Sequence, residues 1–139
     1  MKLLRSNSNG KRPGRLPYKS MDEKFRHVLA NLRRNLTHIQ AVMLIGPEGV
    51  LDYVMDDSAL NFETIAGEYA TLLRIAGSAS EDSGAGNLIE NVLVSEKSIM
   101  IARNVSPDHY LILLCGAQDQ LGRARYELKQ AAWDLSRLM

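Results

Sequence analysis

The sequence predicts an α+β fold: a five-stranded antiparallel sheet with helices on both faces, in the order α-β-β-α-β-β-β-α. Three observations carry this. Two short continuous apolar runs, 41–45 and 110–115, read as strands buried on both faces. The other strand-like segments are joined by short turn sequences that suit antiparallel hairpins. Three stretches with a helical apolar period lie before, between and after the strands. At 139 residues, with 45% apolar and 24% charged residues, the chain has the length and composition of one globular domain.

Residues 1–19 read as a basic disordered tail, and 20–139 as the folded domain. The tail holds Ser6-Asn-Ser-Asn-Gly10, Pro13, Gly14 and Pro17 and shows no helical or strand period. Ser20-Met-Asp-Glu23 is a capping box, with acids suited to the positive end of a helix. Met21, Phe25, Val28, Leu29, Leu32 and Leu36 then form one helical stripe. The strand at 41–45 turns through Gly46-Pro-Glu-Gly49 into a second strand at 50–54, where Asp52 suits an outer edge strand.

Asn61 is placed to cap a middle helix from about 62 to 76, which Gly77 ends. Phe62, Ile65, Ala66, Tyr69, Leu72, Leu73 and Ala76 share one face of it. That arc spans roughly 160°, wider than the ~100° needed to pack on one sheet face, so the helix is expected to meet two neighbours. A flexible acidic loop over 77–86 leads to strands at about 88–94, 98–103 and 109–115. Asp119 is placed to cap a last helix, 120–139, with Leu121, Ala124, Leu128, Ala131, Ala132, Leu135 and Leu138 as its buried stripe.

The residues point away from chemistry. His27, His38 and His109 have no i,i+4 partners, so no metal site is expected. Cys115 is the one cysteine, which excludes an internal disulfide and makes a reducing cytoplasm the simplest location. It reads as a small core residue, about 20 Å along its strand from His109 and so no nucleophile pair with it. Gly84-Ala-Gly86 joins a helix to a strand, the reverse of a phosphate loop. No catalytic set and no cofactor site is expected. No apolar run approaches the roughly 20 residues of a membrane span, so no integral membrane contact is expected either.

Charge is unevenly spread. Residues 1–20 carry six bases and no acid; residues 48–96 carry ten acids and one base, Arg74. The acids read as a solvated face or as a docking face for a basic partner, and the tail as an arm that masks that face through screened attraction. The acidic body argues against nucleic acid as a partner. Trp133 is expected to pack on the first helix, with an exposed aromatic contact as the alternative. Arg123 and Arg125, in the first turns of the last helix, read as solvated or as offered to a phosphate in trans.

Three local patterns, in this order of elements, resemble the roadblock / dynein light chain family. They are Ile39-Gln-Ala-Val-Met-Leu-Ile-Gly-Pro-Glu-Gly-Val50; Gly86-Asn-Leu-Ile-Glu-Asn-Val-Leu-Val94 with Ile99-Met-Ile101; and Leu111-Ile-Leu-Leu114 with Leu121-Gly-Arg-Ala-Arg-Tyr-Glu-Leu128. The match covers about 22–139. Thr37-His-Ile-Gln40 departs from it, where the family often has a glycine. The resemblance implies a roadblock/longin-like sheet with the first and last helices on one face and the middle helix on the other. It implies a homodimer through the middle helix and third strand, and a non-enzymatic cytoplasmic adaptor for a small Ras-like GTPase. A scaffold or sensor subunit of a signalling complex, without a GTPase partner, is the alternative.

On the middle helix Glu63, Gly67, Ala70 and Arg74 share a row at i, i+4, i+7 and i+11, bordered by Ala66 and Leu73. The row is small at its centre and oppositely charged at its ends. Paired with itself across a two-fold axis, it sets Glu63 opposite Arg74. Leu88, Val92 and Val94 are the expected interface residues of the third strand.

Overall fold

The computed structural model describes residues 16–57, 59–117 and 121–137, with side chains from Glu23 onward. Five strands form one antiparallel sheet: β1 (Ile39–Gly46), β2 (Gly49–Met55), β3 (Glu90–Val94), β4 (Ser98–Ser106) and β5 (His109–Gly116). Their spatial order is β2-β1-β5-β4-β3, so the two continuous apolar runs lie innermost and β2 and β3 form the edges. Val42 and Leu44 face one core with helices α1 (Leu16–Asn35) and α3 (Leu121–Ser136). Ala41, Met43 and Ile45 face a second core under the middle helix. The alternation is the period-2 geometry of a strand covered on both sides.

Helix α1 starts at Leu16, four residues before the predicted cap. Pro17 lies in its first turn, where proline's missing N–H has no helical acceptor and its fixed φ suits the helix. Ser20 therefore sits inside the helix, not at its cap, and the domain takes in part of the predicted tail. Residues 1–15 of that tail, the Asp119 cap and Leu138 lie outside the described residues. The predicted stripe holds where side chains are described: Phe25, Val28, Leu29, Leu32 and Leu36 are all buried.

Gly46 and Gly49 pair across a two-residue loop, Pro47-Glu48, and Gly49 takes a φ of 125° that glycine alone adopts without strain. β2 is the outer edge strand that Asp52 led us to expect, and the Asp52 side chain itself is buried, 4% exposed. A bulge between Leu44 and Ile45 leaves Leu51 as the extra residue and sets Asp52 opposite Leu44, on the face that α1 covers. One carboxylate oxygen accepts the Tyr53 amide at 2.8 Å.

The middle helix differs most from expectation. Phe62–Thr64 passes through a π-helical segment, Ile65–Tyr69, into Ala70–Asp82; the three together are α2. Asn61 caps it as predicted, its side chain accepting from the Thr64 amide at 2.9 Å. Phe62 stacks on Tyr53 of β2, ring centroids 4.1 Å apart. Gly77 does not end the helix. Gly84 does, at φ 85°: its amide donates to Glu81 O and the Ala85 amide to Ser80 O, the paired bonds of a Schellman motif. The predicted acidic loop is thus helical over its first six residues, 77–82.

Candidate functional site

His38, His109 and the cysteine are held in structural roles, and His27 lies exposed on α1. His109 Nδ1 lies 2.8 Å from Ser106 Oγ, and His38 Nδ1 lies 2.9 Å from Thr37 Oγ1. Cys115 is fully buried in the α1/α3 core. Among the described residues no group of histidine, cysteine or carboxylate side chains could hold a metal ion, and no helix is long and apolar enough to cross a membrane. What the molecule presents is surface.

The first surface is the β3 edge. β3 pairs only with β4, so its outer backbone groups face away from the sheet. Leu93 lies opposite Met100 and faces the α2 side; Val94 lies opposite Ile99 and faces the α3 side. Leu93 is 38% exposed and Val94 63%. On α2, Ile75 is 62% exposed. Full burial of such a side chain is worth about 1.5–3 kcal/mol, and each of these forgoes the fraction that its exposure leaves in water.

The second surface is a groove of about 780 Å³ between α2 and the turn end of the sheet. Ala66, Gly67, Ala70 and Gly77 form its helical wall, and Ile45, Val50 and Tyr110 lie on the sheet side. Burial, then the nearby Glu81 carboxylate, pushes the Tyr110 hydroxyl above its usual pKa. That hydroxyl donates to Leu88 O at 3.3 Å.

Glu90, at the start of β3, ties these surfaces to the rest of the fold. Arg125 of α3 donates to its Oε1 from Nε at 2.9 Å and from Nη2 at 2.6 Å, and Arg103 of β4 lies 3.6 Å from Oε2. The Glu90 side chain is only 11% exposed. Its hydrogen bond and its charge raise the pKa of Arg125. Arg125 is therefore not free in solvent as expected, and Arg123 pairs with Glu127 at 3.1 Å. Nor does Trp133 pack on α1. It is 60% exposed and, with Ile89, Arg103 and Lys129, lines a hollow of about 560 Å³ on the outer flank of α3.

The predicted interface residues separate. Ala66, Gly67, Ala70, Leu73, Arg74 and Leu88 line the one groove, but Leu73 is 4% exposed and already belongs to the core. Val92 and Val94 face the opposite side of the sheet, with Val92 packed on the α1/α3 core. Glu63 is exposed but lies upstream of the π-helical segment. One extra residue in that turn rotates Glu63 by about one 100° step relative to Ala70 and Arg74, so the four-residue row is not continuous. Ile75, Leu93 and Glu90 were missed. Ile75 and Leu93 carried a signal, as large apolar residues beside an acidic, polar stretch; the Glu90 pairings join residues far apart in sequence and had none.

The chain has the roadblock/LC7 fold. Its structure superposes on that of Myxococcus xanthus MglB with a TM-score of 0.74 at 15% identity, over 84% of this chain and 87% of that one. The roadblock/LC7 domain from Streptomyces avermitilis gives 0.65 at 15% identity, over 76% and 89%. MglC from Myxococcus xanthus gives 0.59 at 29% identity, over 84% and 99%. No protein-family model matches the sequence, and no curated protein does.

Proposed function

We propose that this chain is a non-enzymatic homodimeric adaptor of the cytoplasm that binds a small Ras-like GTPase and modulates its nucleotide cycle or localisation. The likeness to MglB and MglC supports the class, because the family that the sequence resembles supplies partners of such GTPases. The β3 edge carries the dimer part. An unpaired edge strand with exposed Leu93 and Val94 is a template for a second strand, and a two-fold axis pairs it with its own copy. α2, with Ile75 exposed and a groove along its flank, is then the helix nearest that junction in function, if not in register. Gly67, Ala70 and Arg74 stay in the proposed surface; Glu63 and Leu73 do not.

Among the described residues no side chain is arranged with others as a catalytic set, and in this reading an effect on GTP hydrolysis comes from ordering the partner's own switch segments. Sedimentation and GTP-hydrolysis assays test both parts. The wild type should sediment as a dimer and Leu93→Asp as a folded monomer. Wild type should bind a small Ras-like GTPase in its GTP form more tightly than in its GDP form. A monomeric wild type refutes the dimer, and indifference to GTPases in both nucleotide states leaves the scaffold role as the better reading.

A further inference from the structure

The two faces of the sheet carry opposite charge. α2, which covers one face, holds Glu63, Glu68, Glu81 and Asp82 against Arg74, and all five are exposed. From Glu23 onward α1 holds Lys24, Arg26, Arg33 and Arg34 against Glu23 alone. α3, with Arg137 just past its end, adds Arg123, Arg125 and Lys129 against Glu127 and Asp134. α1 and α3 cover one core and touch, the Asn35 side chain donating to Glu127 at 3.3 Å, so these eight bases and three acids belong to one layer.

Glu127 lies between the two helices, 14% exposed and paired with Arg123. Lys24, Arg34, Lys129 and Arg137 form no ion pair among the described residues. On α3, helical spacing sets Tyr126, Lys129, Gln130, Trp133 and Arg137 opposite the buried Ala124, Leu128, Ala131 and Leu135. Tyr126 is 58% exposed and Trp133 60%. They stand two turns apart on that outward row, with Lys129 between them.

That row has the composition of a membrane-interface anchor. Tryptophan and tyrosine rings, apolar in body and polar at the tip, settle at the level of lipid headgroups, and lysine and arginine are drawn to anionic ones. The row holds no aliphatic side chain, so it lacks the apolar centre of a surface built for another protein. No helix among the described residues is long and apolar enough to cross a membrane, so the contact is with the bilayer surface. A planar lipid surface meets the basic layer and leaves the acids of α2 on the far side of the sheet.

We propose that the α1/α3 layer docks on the surface of an anionic lipid bilayer, with Lys24, Arg34, Lys129 and Arg137 against the headgroups and the Tyr126 and Trp133 rings among them. α2 and its groove then face the solution, open to a partner. In the proposed dimer, the two-fold axis that continues the sheet through β3 stands perpendicular to it, so both α1/α3 layers meet one membrane. Those two consequences rest on the proposed function, whereas the docking of a single chain does not.

The test uses the full chain and no partner, so its outcome is separate from those of the dimer and GTPase assays. Trp133 is the one tryptophan in the chain, and its fluorescence reports this contact directly. Vesicles of mixed phosphatidylserine and phosphatidylcholine should shift its emission to the blue, and brominated lipid should quench it; phosphatidylcholine alone should do neither. The shift should fall away in 1 M salt, where the Debye length is about 3 Å. Each base near such a surface strengthens binding about fivefold, so Arg34→Gln, Lys129→Gln and Arg137→Gln together should weaken vesicle binding about a hundredfold, with unchanged circular dichroism reporting an intact fold. The basic residues of 1–15 stay in every sample, so vesicle binding that leaves the Trp133 emission unmoved overturns the proposal. So does an equal shift on phosphatidylcholine, or a triple variant that binds as the wild type does. A shift produced by polythymidine or by polyglutamate but not by the vesicles also overturns it, and assigns the layer to nucleic acid or to an acidic protein.

Discussion

Replacing Glu90 with glutamine removes one negative charge and keeps the shape, and its effect follows from the two arginines that share the carboxylate. Arg125 is 53% exposed, so solvent screens its pair with Glu90. Arg103 is 22% exposed and Glu90 11%, so the inner pair is largely out of water. Losing the carboxylate leaves the largely covered Arg103 guanidinium beside a neutral amide, a desolvation penalty of about 1–3 kcal/mol. Glu90→Gln should therefore destabilise by about 1–3 kcal/mol, and Arg125→Ala by less. Urea unfolding of both single variants and the double variant gives the coupling energy. The double variant should be less destabilised than the sum of the two. A Glu90→Gln loss below about 0.5 kcal/mol, the scatter of an ordinary surface substitution, would refute the claim that this carboxylate anchors β3 to α3 and β4.

Two further outcomes are expected. Gly77→Ala should stabilise the chain by about 1 kcal/mol, because Gly77 is helical and its added methyl meets nothing within 4 Å; thermal unfolding measures it. Tyr110 should make stability fall in alkali. Its folded pKa lies above the ordinary 10.0, so its contribution is complete below pH 10 and is lost as pH rises through the folded value; Tyr110→Phe should flatten that part of a pH series of urea midpoints.

The elements that periodicity and apolar runs encode were legible. β1 and β5 announce themselves because a strand covered on both faces must be apolar at consecutive positions. The α1 stripe from Phe25 to Leu36 follows from helical spacing. What was illegible depends on other parts of the chain. The burial of Asp52 was not legible, because the bulge at Leu44/Ile45, which adds Leu51 to β2, has no signature in the sequence. Gly77 looked like a stop because glycine weakens a helix, but a stop needs a left-handed residue with receiving carbonyls, which Gly84 provides. The predicted Glu63–Arg74 row assumed regular helix and failed at the π-helical turn. Arg125 looked solvated because its partner Glu90 is 35 residues away.

The π-helical turn also fixes the length of α2 against change. A helix pinned at one end only can gain or lose a residue and shift its tip. α2 is pinned at both: Phe62 is stacked on Tyr53, and the Gly84 turn closes the other end. Deleting one residue from Ile65–Tyr69 would restore regular winding, shorten the span by about 1.5 Å and swing the Phe62 end by about 100°. A change of length costs less in the connections beyond these two fixed points, where it leaves the spacing of the groove wall between them unaltered.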